Sequence, residues 1–151
     1  MGERGRFGPR RVALVALGGL ALAGCAAAVN TDVKDGGYAD GTYTGRSEAD
    51  DDGGYGQVTL TIRSNNITAA TFVLYEKGGQ VKGKDYGMTN GKVVDIPTYS
   101  RAQAGIAAAP RYAAELVDTD NLADVDAIAG ASLSYKQFQE AVTDALRGGP
   151  H

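Results

Sequence analysis

Strict alternation of apolar and polar side chains marks the run Gln57-Val58-Thr59-Leu60-Thr61-Ile62-Arg63. Because successive side chains of a strand point to opposite faces, the three apolar residues would share one buried face. Ser64-Asn65-Asn66 follows as a turn, and the β-branched and aromatic run Ile67–Glu76 predicts a returning strand. These residues therefore predict an antiparallel hairpin with one face in the core.

The chain before the hairpin adds a strand and an acidic loop. Asp40–Gly45 predicts a turn into a first short strand, rich in Thr and Tyr. Glu48–Gly56 is acidic and rich in glycine, which indicates a hairpin loop. Its run Asp50-Asp51-Asp52 lacks the spaced ligands and terminal Glu of an EF-hand, so we interpret it as a solvated charge run.

Helix signals dominate the second half of the chain. We predict a helix from Thr98 or Ser100 through Ala108, and a second, shorter helix over Pro110–Val117, because proline is tolerated at the first helical position. Apolar residues recur at helical spacing over Tyr135–Leu146, which predicts an amphipathic helix. Strands followed by helices predict an α+β fold, an antiparallel β-sheet with helices on one side.

The loop before the last helix is Asp126-Ala127-Ile128-Ala129-Gly130-Ala131-Ser132-Leu133-Ser134. Free backbone N–H groups and the helix dipole favour negative charge at a helix N-terminus, so Ser132 presents a hydroxyl where a phosphate would be stabilised. Ser132 or Ser134 can cap the helix, and Gln137 follows Ser134 at the spacing of a capping box. On geometry alone, the simpler interpretation is favoured: a tight turn with a helix cap.

The segment Asp126-x-x-x-Gly130-Ala131-Ser132 resembles the Asp-x-x-Ser-Gly-Ala-Thr signature of the FMN-binding domain family. That family includes the C subunit of the sodium-pumping NADH:quinone oxidoreductase and the G subunit of the Rnf complex. The resemblance implies one small FMN-binding domain, with FMN attached to Ser132 through a phosphoester by an FMN transferase. The sequence departs from the signature at Ala129, where Ser is common, and at Ser132, which replaces Thr but keeps the nucleophilic oxygen.

The resemblance also implies the cofactor-binding set, which is Ser132 with Asp126, Gly130, Ala131 and Ser134. Asp126 would belong to the motif that the transferase recognises, and independently it can hold the loop as an Asx-type turn. In the long loop 77–95, Tyr86 is a candidate to pack on the flavin ring and Lys84 to neutralise phosphate, although both also fit as ordinary loop residues. We assign no catalytic residue and no metal ligand.

The N-terminus has the layout of a secretory signal. A basic leader precedes the apolar run Val12–Ala23, which is short for a transmembrane helix. Leu22-Ala23-Gly24-Cys25 resembles a bacterial lipobox, in which the cysteine is diacylated. We therefore expect a lipoprotein signal peptide over residues 1–24, lipid attachment at Cys25, a flexible linker over residues 25–37 and the FMN-binding domain over residues 38–148.

Composition restricts the chemistry of the mature part. Without Glu3 and the four leader arginines it has 11 basic and 17 acidic residues, a net charge of about −6, which argues against a nucleic-acid partner. Cys25 is the single cysteine and His151 the single histidine, at the end of the chain. A histidine-based catalytic centre is thereby excluded, and redox chemistry would have to come from a bound cofactor.

These patterns predict a flavoprotein held on the extracytoplasmic face of the cell membrane by its lipid anchor. It would carry electrons between membrane redox partner proteins, as a carrier rather than as a stand-alone enzyme. One alternative is a degenerate domain, a ligand-binding or assembly lipoprotein without covalent flavin, and the Ala129 departure motivates it. The third, a self-contained flavin reductase, ranks last because the sequence has no nicotinamide-binding fingerprint and no acid/base pair.

Overall fold

The computed structural model describes residues 28–151 of the 151-residue chain, so the predicted signal peptide and Cys25 lie outside the described residues. The described chain forms one three-stranded sheet, two long helices and two short helical segments. In chain order these are α1 (Val33–Gly36), β1 (Gly41–Arg46), β2 (Tyr55–Arg63), β3 (Asn66–Tyr75), α2 (Ile96–Thr119), a 3-10 helix (Leu122–Asp124) and α3 (Ser132–Gly148). The predicted α+β class is confirmed.

The sheet is antiparallel throughout, in the order β1-β2-β3. Arg63 pairs with Asn66 at the end of the hairpin, so Ser64 and Asn65 form a two-residue loop. Both have positive φ, 49° and 60°, the backbone conformation that two-residue hairpin turns require. The hairpin prediction is confirmed, with Asn66 in the strand rather than in the turn.

One face of the sheet is covered by α2 and α3. The alternating apolar residues of β2 are all fully buried, whereas Thr59 and Thr61 on the opposite face are half-buried. The sheet and both long helices contribute the largest core side chains: Tyr43, Leu60, Ile62, Tyr112, Leu116 and Phe138. The Phe138 ring stacks on Tyr112 at 5.5 Å and meets Phe72 of β3 edge-on at 5.1 Å, so the aromatic rings join both helices to the sheet.

The predicted break at Pro110 is wrong, because α2 is one continuous helix of 24 residues. Proline removes one backbone N–H donor from the helix interior. Pro110 is exposed, so the lost hydrogen bond faces water, while the neighbouring Ala109, Tyr112 and Ala113 are buried in the core. Burial of this apolar face holds the helix together across the proline.

Residues 28–37, the described part of the predicted flexible linker, dock on the domain through α1. Val33 of α1 is fully buried, and its backbone N–H donates to the Asp120 carbonyl at 2.9 Å. Asp32 caps α1 and pairs with Asn121 in an isolated β-bridge. A single buried valine gives no periodicity, which is why the sequence pattern did not reveal the docking.

Candidate functional site

A pocket of about 460 Å³ lies between the N-terminus of α3, the N-terminal half of α2 and the loop that follows β3. Gly130, Ala131, Ser132 and Ser134 of the predicted cofactor-binding set all line it. The structure thus brings four of the five predicted residues to one cavity. Asp126 is exposed and does not line the cavity.

The N-terminus of α3 has no side-chain cap. Ala131 occupies the capping position, Ser132 is the first helical residue, and Gly130 turns the chain with a φ of 79°. The first backbone N–H groups of a helix have no intrahelical acceptor, so those of α3 remain available at the edge of the pocket. This geometry suits an anion, and the exposed Ser132 hydroxyl lies beside it.

The predicted capping box is wrong. Ser134 is the third helical residue, and its buried hydroxyl donates to the Ala131 carbonyl at 2.9 Å instead of capping an N–H group. Gln137 donates its side-chain amide to Asp50 at 3.3 Å, not to the start of the helix. The helix begins three residues earlier than a Ser134 cap would require.

Two tyrosines hold the loop before α3. The Tyr112 hydroxyl accepts from the Ile128 N–H at 3.1 Å and donates to the Ala131 carbonyl at 3.3 Å, while the Tyr135 hydroxyl donates to the Val125 carbonyl at 2.8 Å. Burial, followed by the charge of the nearby Asp126, raises the pKa of Tyr135. Tyr135 therefore stays protonated as a donor at ordinary pH.

Asp126 does not form the expected Asx-type turn. Its backbone N–H donates to a Glu115 carboxylate oxygen at 3.4 Å, and within residues 28–151 its own carboxylate accepts no hydrogen bond. The hydroxyl groups of Tyr112 and Tyr135, rather than the Asp126 carboxylate, bind the backbone of this loop. The exposed carboxylate is accessible on the surface beside the loop.

A buried ion pair joins Lys82, which lines the pocket, to Asp50, which lies behind the pocket wall. The Lys82 ammonium is 3.1 Å from an Asp50 carboxylate oxygen, and both side chains are less than a tenth exposed. The Asp50 carboxylate also accepts from the N–H groups of Gly54 at 2.6 Å and Asp52 at 3.1 Å. The interpretation of Asp50 as part of a solvated run is therefore wrong, because the loop folds its carboxylate inward.

In this pair the pKa of Lys82 is raised and the pKa of Asp50 is lowered. Burial alone would lower the pKa of Lys82, but its contacts with Tyr86 and Asp50 outweigh burial and raise it. Burial alone would raise the pKa of Asp50, but the bond to Lys82 and the backbone N–H donors lower it. Both groups are therefore charged across the physiological range.

The loop after β3 brings one cationic and one aromatic side chain to the pocket, Lys82 and Tyr86. Lys82 donates its backbone N–H to the Leu74 carbonyl, which extends the pairing of β3 and directs its side chain inward. Its ammonium lies 4.5 Å from the centre of the Tyr86 ring. Tyr86, the candidate for packing on the flavin ring, lines the pocket. Lys84, the candidate for neutralising phosphate, does not line it, and its carbonyl accepts from the Tyr99 hydroxyl.

One face of α2 forms the third wall, through Thr98, Arg101, Ala102 and Gly105, which recur at helical spacing. Gly105 is buried, and a Cβ there would make van der Waals contact with the Ser134 hydroxyl oxygen at 3.4 Å, so α2 and α3 pack closely at this point. Arg101 adds a second cation at the pocket. No sequence signal identifies Lys82, Arg101 or Thr98 as site residues, because only the folded chain brings them to the same pocket as the motif.

The residues present fit FMN. An uncapped helix N-terminus and the Arg101 guanidinium suit a phosphate. The Tyr86 ring, Leu74 and the small residues of α2 offer apolar surface to a flat ring system. Within residues 28–151, no group of three or more His, Cys, Asp or Glu residues could hold a metal ion. The pocket has the chemistry of a flavin-binding protein.

Comparison with known proteins supports this class directly. A family model described as the FMN-binding domain matches residues 53–147, more than half of the chain. The chain therefore belongs to the FMN-binding domain family, and FMN is its cofactor. No curated protein matches the sequence.

Two solved structures are similar to the chain. A crystal structure of a Clostridium perfringens protein is 24% identical, with a TM-score of 0.58, over 74% of this chain and 88% of that chain. A solution NMR structure of a Clostridium thermocellum protein is 23% identical, with a TM-score of 0.39, over 72% of this chain and 90% of that chain. The similarity to the Clostridium perfringens protein shows a shared fold only.

Proposed function

We propose that this protein is an exported lipoprotein that carries FMN covalently on Ser132 and transfers electrons at the extracytoplasmic face of the cell membrane. FMN supplies the redox chemistry when it is bound. The chain holds it, shields one side of the ring from water and leaves the rest accessible to redox partner proteins. The alternative is a domain of the same family that binds FMN without a covalent bond and serves as an assembly or ligand-binding module.

The different environments of the two motif serines support covalent attachment at Ser132. Ser132 is exposed at the uncapped start of α3, where a phosphate would meet free N–H groups. Ser134 is buried, and its hydroxyl is already engaged with Ala131. A transferase approaching from solvent would therefore reach one hydroxyl of the motif and not the other.

Intact-protein mass spectrometry after co-expression with an FMN transferase tests the attachment. We expect an adduct of one FMN minus water on the wild-type protein, because the new Oγ–P bond forms with loss of the elements of water. Ser132→Ala should have no adduct. A wild-type protein that binds FMN but releases it on denaturation would favour the non-covalent alternative.

The anchor is proposed from the lipobox-like sequence around Cys25. None of the helices described within residues 28–151 is long and apolar enough to cross a membrane. Because Val29 already packs against the core, about four residues would separate it from the lipid, a reach of roughly 14 Å when extended. The domain would therefore work close to the membrane surface and to redox partners within it.

Radiolabelled palmitate tests the anchor. We expect the label on the full-length protein in bacterial cells and its loss in Cys25→Ala. Electron transfer can then be followed as bleaching of the flavin absorbance when the loaded protein is mixed with respiring membrane vesicles. Labelling of Cys25→Ala, or vesicles that leave the flavin oxidised, would contradict the respective part of the proposal.

A further inference from the structure

Lys82 is a charged group of the pocket to which the proposed function gives no role. Lys82 is 6% exposed, yet it lines the cavity, and its ammonium is held by Asp50 at 3.1 Å and by the face of Tyr86 at 4.5 Å. Placing an ammonium in a pocket wall is costly unless it is paired and hydrogen-bonded. The Asp50 carboxylate meets that cost, with backbone N–H bonds that fix its own position.

The position of Lys82 relative to Ser132 indicates which part of FMN it would meet. Lys82 is connected to α3 through Asp50, which accepts from Gln137 at 3.3 Å. Gln137 is five residues after Ser132, about 7.5 Å further along the helix axis. Ser132 lies at the exposed mouth of the pocket and Lys82 in its buried wall. A cofactor whose phosphate is on Ser132 would therefore extend its ring towards Lys82.

We propose that Lys82 contacts the isoalloxazine ring of FMN and raises its reduction potential. This inference rests on the proposed attachment at Ser132. Uptake of two electrons and one proton leaves the ring with one negative charge that the oxidised ring lacks. A fixed ammonium at contact distance stabilises that charge and favours the reduced cofactor. The electrons come from a reduced membrane redox protein in the cell and from dithionite in the assay.

The Asp50 carboxylate opposes this effect, because it is a fixed negative charge on the far side of the same ammonium. Removing Lys82 and removing Asp50 should therefore shift the reduction potential in opposite directions. Lys82→Met should weaken the preference for the reduced ring by about tenfold, which lowers a two-electron potential by about 30 mV. Asp50→Asn should raise the potential, because it leaves the ammonium without its counter-charge.

The test is a dithionite titration of the FMN-loaded full chain, followed by flavin absorbance against a reference dye. Lys82→Arg should keep a potential near that of the wild type, because it retains the charge. Lys84→Met is the matched control: it removes the same charge two residues away, from an exposed side chain that does not line the pocket. Its potential should equal that of the wild type.

Several results would overturn the inference. An unchanged potential in Lys82→Met would do so, as would shifts of both Lys82→Met and Asp50→Asn in the same direction, which would indicate general loosening of the pocket. Loss of FMN attachment in a folded Lys82→Met protein would assign the ammonium to the phosphate instead.

Two further outcomes remain interpretable. If either single variant fails to fold, the double variant Asp50→Asn/Lys82→Met is used, because it removes both charges. Its reduction potential should still be lower than that of the wild type, because the ammonium is nearer the pocket than the carboxylate is. A reduction potential equal to that of the wild type would refute the proposal. Absence of any adduct on the wild-type protein would refute attachment at Ser132 and this inference with it. An FMN-loaded Lys82→Met protein with the same reduction potential as the wild type would refute this inference but not the attachment at Ser132.

Discussion

Ser134 donates a hydrogen bond of 2.9 Å to the Ala131 carbonyl and is 3% exposed, whereas Ser132, two residues earlier, is exposed. One hydroxyl of the motif therefore supports the start of α3, and the other faces the pocket mouth. The motif resemblance assigns the phosphoester to Ser132 and places Ser134 beside it in the cofactor-binding set, without saying what the Ser134 hydroxyl does. The separation of the two serines into a structural and an accessible hydroxyl gives the first prediction.

Substitution of the two serines should have opposite effects. Ser134→Ala should keep the FMN adduct and lower the free energy of unfolding by about 1 kcal/mol, because the Ala131 carbonyl still accepts from Tyr112 and from the Tyr135 N–H. Ser132→Ala should lose the adduct and change stability by less than about 0.5 kcal/mol. Urea unfolding of the apoproteins and intact mass after transferase treatment measure the two effects. Loss of the adduct in Ser134→Ala alone would move the attachment site.

The buried pair should make stability depend on pH at both extremes. The pKa of Asp50 is below its ordinary 3.8 in the folded protein, so its contribution is complete above the unfolded value and is lost as the pH falls through the folded one. The pKa of Lys82 is above 10.5, so its contribution is complete below that value and is lost as the pH rises through the folded one. The difference in melting temperature between wild type and Asp50→Asn/Lys82→Met should narrow as the pH falls below 3.8 and as it rises above 10.5.

The same pair should be strongly non-additive in a mutant cycle at pH 7. Lys82→Met should cost about 3 kcal/mol, the lower end of the range for breaking a buried ion pair, because Asp50 keeps its backbone donors. The double variant should cost less than Lys82→Met alone, since neither charge is left unpaired. Costs that simply add would show that the two groups are solvated independently.

Local sequence patterns predicted the hairpin correctly, because alternation and turn residues act over a few neighbouring positions. They could not predict the Asp50–Lys82 pair, which joins residues 32 positions apart. Only the packing of the loop after β3 selects Lys82 rather than Lys84 for the pocket. The continuity of α2 across Pro110 likewise depends on tertiary burial, which overrides the local preference of proline.

Asp120 should be a structural carboxylate that joins α2, the sheet and the N-terminal segment. It ends α2 with a φ of 57°, and its side chain accepts from the Ile67 N–H at 2.5 Å and meets the Lys34 ammonium at 3.1 Å. Asp120→Ala should cost about 2–3 kcal/mol, because it leaves a buried N–H without an acceptor and strains the left-handed backbone. Asp120→Asn should cost less, because the amide oxygen still accepts and Asn tolerates this conformation.

Lys34→Ala separates the ion pair from the hydrogen bond to Ile67. The Lys34 side chain is more than half exposed, so its loss should cost less than about 1 kcal/mol. Urea unfolding of the three variants gives the comparison. A Lys34→Ala protein as unstable as Asp120→Ala would place the stabilisation in the ion pair instead.

Gly45 sets how closely β1 approaches α3. A Cβ at this position would overlap the backbone nitrogen of Ala145 and the carbonyl oxygen of Ala141, neither of which can move without the helix. Gly45→Ala should therefore lower the free energy of unfolding by about 1–3 kcal/mol through overpacking. Gly78→Ala is the control, because no atom lies within 4 Å of its Cβ position, and it should change stability by less than about 0.5 kcal/mol.

Because α3 begins with Ser132, displacement of the helix should also reduce the yield of FMN adduct in Gly45→Ala at temperatures where the protein is still folded. Equal stability and equal adduct yield in the two variants would mean that α3 can shift on the sheet without disturbing either the core or the pocket.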